Sequence, residues 1–139
     1  IRMVQLHATT IAVDGRGLLI LGPSGAGKSC LALQMMAVGA ALVADDRTDV
    51  TRDGAALIAS CPAPLCGRIE ARGVGILAAS DHGPVQLAAI VDLGRSEADR
   101  LPKSREHDLL GIALPLVLGP YRPHLYAALR QFLVAGRVA

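Results

Sequence analysis

Aromatic residues are almost missing. The chain has no tryptophan, and Tyr121, Tyr126 and Phe132 are its only large rings. Binding of single-stranded nucleic acid leans on stacking bases against such rings, and this chain lacks them. Charge of one sign is missing too. Lys and Arg number 14 against 12 Asp and Glu, a formal net charge of +2, too small to indicate a nucleic-acid partner by electrostatics. No apolar run approaches the roughly 20 residues of a membrane-spanning helix. The longest, around 109–119, is interrupted by Pro115 and Gly119. No membrane association and no secretory leader are expected. Cysteine is scarce and odd in number: Cys30, Cys61 and Cys66. That points to reduced thiols in a cytoplasmic protein rather than to a disulfide framework. Cys61 and Cys66 have no second pair or suitably spaced histidine to complete a zinc site. The first residue is Ile1, so the chain is read either as a fragment or as starting natively at Met3.

What is present is aliphatic. Apolar residues make up 52% of 139 positions and charged residues 19%, which argues against disorder and suits one domain over residues 1–139. Ala, Leu, Val and Ile dominate, with 15 glycines. That composition fits an α/β sheet covered by helices. Residues 3–21 read as a hairpin turning at Asp14-Gly15. Lys28 to Val38 carries apolar residues at helical spacing, with Gly39 as the stop and Met35-Met36 in the core. Ala40 to Ala44 reads as a buried strand, 48–60 as a hairpin around Asp53-Gly54, and 85–93 as a strong strand. Residues 94–108 are charged and without steady period, so they read as a long surface loop, partly helical. A last strand at 112–118 and an amphipathic helix at 124–135 complete a mixed sheet with an N-terminal hairpin.

Between the first hairpin and the first helix lies Gly22, Pro23, Ser24, Gly25, Ala26, Gly27, Lys28 and Ser29, with Cys30 following. It satisfies the phosphate-binding loop pattern, Gly-x4-Gly-Lys-Ser, in the required strand-to-helix context. The glycines let successive N–H groups point inward at phosphate, and the helix adds the positive end of its dipole. Lys28 is expected to neutralise β- and γ-phosphate charge, and the Ser29 hydroxyl to bind Mg²⁺. The expected ligands are therefore ATP and Mg²⁺. The next strand ends in Asp45-Asp46. One carboxylate can hold Mg²⁺ directly or through water, and the other can take a proton from an attacking hydroxyl. Which does which is open at this level.

These residues, with others in order along the chain, carry a resemblance. His7 before the loop, the loop itself, Val-Ala-Asp-Asp-Arg at 43–47, Arg-Ile-Glu-Ala-Arg-Gly-Val-Gly-Ile-Leu at 68–77, and Asp99-Arg100-Leu101 are similar to the catalytic domain of the HPr kinase/phosphorylase family. The string Glu-x-Arg-Gly-x-Gly at 70–75 is much more specific than a phosphate loop alone. The resemblance implies a P-loop kinase-like fold and ATP-dependent phosphorylation of a serine of the phosphocarrier HPr, reversible by phosphorolysis. It implies His7, Lys28, Asp45, Asp46, Arg72 and Arg100 in the catalytic site, and Ser29, Glu70 and Asp45 at the metal. It also implies a hexamer. Members have a further N-terminal domain. The segment Pro115 to Pro123, corresponding to a region linked with dephosphorylation, lacks the family's lysine here.

Read without the resemblance, each residue has a plainer alternative. His7 on an alternating strand fits a half-buried structural histidine. Glu70 and Arg72, two apart, fit a surface ion pair. Arg100 fits a solvated charge. Two other functions stay open: a small-molecule P-loop kinase, and a nucleotide-binding regulator without turnover.

Overall fold

The protein is described from a computed structural model, covering residues 2–139. Eleven strands and two helices are formed among the described residues. In chain order they are β1 (Arg2–Leu6), β2 (Thr9–Val13), β3 (Arg16–Leu21), α1 (Lys28–Ala37), β4 (Ala41–Ala44), β5 (Thr48–Asp53), β6 (Ala56–Ser60), β7 (Arg68–Ala71), β8 (Gly75–Ala78), β9 (Val85–Ser96), β10 (Arg105–Leu109), β11 (Ile112–Gly119) and α2 (Leu125–Ala135). Among the described residues, no helix is long and apolar enough to cross a membrane.

Two strands organise the rest. β3 and β9 run parallel at the centre of a mixed nine-stranded sheet ordered β1-β5-β6-β9-β3-β2-β4, with β11 and then β10 added on β9. Burial of β3 on both sides matches its uninterrupted Leu18-Leu19-Ile20-Leu21 run. Leu18 and Ile20 enter one core with α1 and α2, while Leu19 enters a second core on the opposite face. β9 changes phase midway. Gly17 pairs with Leu87 but Leu18 pairs with Ala89, so one residue of β9 is extra. Val85 and Leu87 therefore face the second core, and Ala89, Val91 and Leu93 face the helical one.

The expectation of a sheet covered by helices holds for one face only. The second core has no helix. Val50, Leu57 and Ala59 from β5 and β6, with Leu116 and Leu118 from β11, close over it as the sheet curls. A sheet that bends onto itself buries apolar side chains without a second helical layer.

Two expected boundaries shift. The 3–13 strand is two strands, broken at His7-Ala8: β2 forms the expected hairpin with β3, while β1 pairs antiparallel with β5. The expected loop over 94–108 is strand at both ends. β9 continues to Ser96 and β10 starts at Arg105, leaving only 97–104 as loop. The charged residues that hid this periodicity are stabilised from outside the strands: Arg105 donates two hydrogen bonds to the Glu97 carboxylate, at 2.9 and 3.0 Å. The expectation of three free thiols also fails. Cys61 and Cys66 form a disulfide with Cα atoms 5.5 Å apart, because a turn closed by Leu65 N–H to Pro62 O folds the segment back on itself. Cys30 stays a free thiol.

Hydrogen bonding from Arg105 holds the Glu97 carboxyl below its ordinary value of 4.5. A depressed carboxylate stabilises the fold above its unfolded pKa, and that contribution is lost as pH falls through the lower folded value. Thermal unfolding midpoints of wild type and Glu97→Gln should differ fully above the ordinary carboxyl range and converge as pH falls through the lowered folded value. A gap that ignores pH would remove the ion pair as its source.

Candidate functional site

The sheet topology decides what meets what. β3, β9 and β11 are parallel, so the segments that follow them, 22–27, 97–104 and 120–124, leave from one end of the sheet. β4 runs antiparallel to β2, and β2 antiparallel to β3, so β4 also ends there. β2 starts there. Thr10 pairs with Ala44, which brings His7 and Thr9 beside Asp45 and Asp46 across 36 or more positions of sequence. In open α/β sheets this strand-end crevice is where ligands bind.

The 22–29 segment forms the expected loop. Gly22, Gly25 and Gly27 all have positive φ, at 150°, 84° and 104°. Gly27 is confined by a ring: a Cβ there would lie 3.2 Å from Tyr121, at a φ that disfavours any side chain. α1 follows, with no acidic side chain in its first turn to occupy its N–H groups. Lys28 folds back and donates to the carbonyls of Gly22 and Pro23, at 2.7 and 3.1 Å. Burial pushes the Lys28 ammonium below its ordinary pKa, while the charges of Asp46 and Asp45 pull it back up. A partly desolvated ammonium beside a glycine-rich loop at a helix N-terminus is a strong attractor for phosphate.

The two aspartates are dissimilar. Asp45 is buried, and its carboxylate accepts three hydrogen bonds. Oδ1 takes Thr9 Oγ1–H at 2.9 Å and Ser29 Oγ–H at 2.7 Å; Oδ2 takes the Glu70 backbone N–H at 2.9 Å. Asp46 adopts a left-handed φ of 69°, which turns its side chain away from its neighbour. Its carboxylate is 63% exposed and lies 2.7 Å from His7 Nε2, with Arg47 Nε at 4.0 Å. The sequence left the two interchangeable; burial and partners separate them.

One cavity of about 870 Å³ joins these groups. Its floor is the phosphate loop with Lys28 and Ser29, one wall carries His7, Thr9, Asp45 and Asp46, and the other is the β7–β8 hairpin. Glu70 and Arg72 both line it from that hairpin. Among the described residues they make no ion pair with each other. Cys30 is exposed on the cavity wall with its Sγ 3.6 Å from Tyr121 Oη, rather than packed away. Arg100 is not brought into the cavity; it is exposed in the 97–104 loop. Ser24, Gly25 and Gly27 line the cavity, while Gly22, Pro23 and Ala26 shape the loop behind them.

The donor set suits Mg²⁺. Ser29 Oγ, the Asp45 carboxylate and Glu70 are hard oxygen ligands at the mouth of a phosphate cradle. Among the described residues, no group of three or more His, Cys, Asp or Glu side chains is arranged to hold a metal alone.

Two participants escaped sequence reading. Thr9 looked like one more β-former, though its spacing of two from His7 was a signal. Tyr121 had none: its place over Gly27 depends on the turn after β11.

Known proteins resemble this chain in sequence and in fold. Residues 2–89 match the family described as HPr Serine kinase C-terminal domain. The chain is 35% identical over 126 residues to the HPr kinase/phosphorylase of Cupriavidus metallidurans, covering 82% of this chain and 39% of that protein. It is 31% identical over 131 residues to the Clostridium botulinum protein of the same name, covering 86% and 43%. The chain thus spans about two fifths of the length of these curated relatives, 39% and 43%. Among solved structures, the Hpr(Ser) kinase/phosphatase from Coxiella burnetii superposes with a TM-score of 0.80 at 30% identity, covering 94% of this chain and 93% of that one. By sequence match and by fold, the chain belongs to the HPr serine kinase C-terminal domain family.

Proposed function

We propose that this chain transfers the γ-phosphoryl group of ATP to a serine hydroxyl of the phosphocarrier HPr. The observation that carries this is the division of labour between adjacent aspartates. Asp45 is buried against the Ser29 hydroxyl, and Asp46 is exposed beside His7 on the open side of the same cavity. A binding module needs the first arrangement but has no use for the second.

In this reading the phosphate loop and Lys28 hold the nucleotide phosphates. Ser29, with Asp45 and Glu70, would hold Mg²⁺, and the ion would supply charge neutralisation. The serine Oγ attacks the γ-phosphorus in line. An O–P bond forms, the bond from the γ-phosphorus to the β-γ bridging oxygen breaks, and ADP leaves. Asp46 takes the serine proton, and His7 Nε2–H holds that carboxylate in place. Arg72 stands on the opposite wall, where its charge is available to the transferring group. Arg100 joins only if the 97–104 loop moves toward the cavity on binding.

In reverse, inorganic phosphate attacks phosphoserine and Asp46 returns the proton, yielding pyrophosphate. The names of the relatives, phosphorylase and phosphatase, support this direction. The same family membership underlies a cytoplasmic, hexameric assembly as the working form.

Incubation with Mg²⁺, γ-labelled ATP and HPr tests the reading. Label should reach HPr and not HPr whose target serine is alanine. Asp46→Asn should lower transfer by about 10²–10⁴-fold while ATP affinity stays within about threefold; equal turnover in the variant would exclude Asp46 as the base. Gly27→Ala should weaken ATP binding by about tenfold or more, since a left-handed φ costs a side chain about 1–2 kcal/mol and the Tyr121 ring blocks relaxation. Calorimetric titration with ATP reads this directly, and unchanged affinity would mean the loop binds in another conformation.

A further inference from the structure

Buried hydroxyls are costly unless they are hydrogen-bonded, so where each one ends indicates what it is for. β2 buries two adjacent threonines completely. Thr10 Oγ1 is 2.9 Å from Thr48 Oγ1, which in turn donates to the Ala8 carbonyl at 3.0 Å. That chain of bonds ties backbone to backbone. Thr9 sends its hydroxyl the other way, to Asp45 Oδ1, and lines the cavity.

The carboxylate that Thr9 touches is the one that orients Ser29. Asp45 Oδ1 accepts from both hydroxyls at once. A hydroxyl has one proton and two lone pairs. When Ser29 gives its proton to Asp45, its lone pairs are left free for a cation. The orientation of Ser29 therefore depends on where Asp45 Oδ1 is fixed. The Glu70 N–H fixes only the other oxygen, Oδ2. Without Thr9 the only remaining partner of Oδ1 is the Ser29 hydroxyl itself, so the oxygen and the hydroxyl that it orients can shift together.

We infer that Thr9 is a positioning residue for the divalent cation, acting through Asp45 on the Ser29 hydroxyl. It orders ligands of the cation without touching the nucleotide. This rests on the reading of the site as one for nucleotide with Mg²⁺. It predicts a specific separation: losing the Thr9 hydroxyl weakens the cation contribution to binding and leaves the phosphate-loop contribution intact.

The test uses the whole chain and a slowly hydrolysed ATP analogue, with affinity measured across a Mg²⁺ titration and without Mg²⁺. Thr9→Val removes the hydroxyl at nearly constant volume, and Thr9→Ala removes it in a second background should the first fail to fold. Thr9→Ser restores it. Thr10→Val serves as the control for a buried hydroxyl that ends on backbone. Hydroxyl-free variants at position 9 should match wild type without Mg²⁺ and lose about tenfold in the tightening that Mg²⁺ produces, the size expected for a hydrogen bond to a charged group. Thr9→Ser should recover it to within about twofold. Thr10→Val should lower the unfolding midpoint and leave Mg²⁺ dependence unchanged. Wild-type Mg²⁺ dependence in Thr9→Val or Thr9→Ala, or no recovery in folded Thr9→Ser, would overturn the assignment of Thr9 alone. Absence of nucleotide binding in wild type would overturn the site reading and this inference together.

Discussion

The Asp45 carboxylate is where the site is tied together. Its hydrogen bonds come from β2 through Thr9, from the first turn of α1 through Ser29, and from β7 through the Glu70 N–H. Four elements, counting β4, which ends one residue before it, are fixed relative to one another by one buried carboxylate. Burying a carboxylate is costly, and only a full set of donors makes it tolerable. That requirement is also what makes the geometry specific. If β2 slipped in register, Thr9 would leave; if the β7–β8 hairpin lifted, the Glu70 N–H would leave.

This knot sits at a place the sheet prepares. Antiparallel insertion of β2 between β3 and β4 brings the start of one strand to the ends of two others. The same inversion delivers His7 to Asp46. Below this layer, the phase change in β9 lets one long strand serve two cores, so helices cover one face while the sheet curls over the other. The phosphate loop then rests on a central strand buried on both sides, a rigid base for groups that must hold position while charge moves.

The electrostatic contrast between the two aspartates follows from backbone geometry. They are adjacent in sequence and chemically identical. The left-handed turn at Asp46 sends its carboxylate to solvent and His7, while the Asp45 carboxylate is buried among its donors. Such a conformation is mildly unfavourable for a residue with a side chain, and sites that keep it commonly use it. Burial pushes Lys28 below its ordinary pKa, and the charges of Asp46 and Asp45 oppose that shift.

Local pattern determined the phosphate loop, because its glycines, lysine and serine are required by local backbone conformation and contact with phosphate. It determined the strand–loop–helix around that loop, the 48–60 hairpin, the last helix and the family, since each is written in short-range pattern. It did not determine the strand over 105–109, where Arg105 and Glu97 stabilise each other across a loop and leave no apolar period to read. It did not determine the separate course of β1, whose partner is 40 or more positions away. Nor did it show the Cys61–Cys66 pairing, which depends on a turn, or the place of Tyr121 over Gly27. Only the tertiary structure decided which aspartate is buried, which is free, and that Thr9 belongs to the site. Those are matters of long-range register and burial, and no local pattern encodes them.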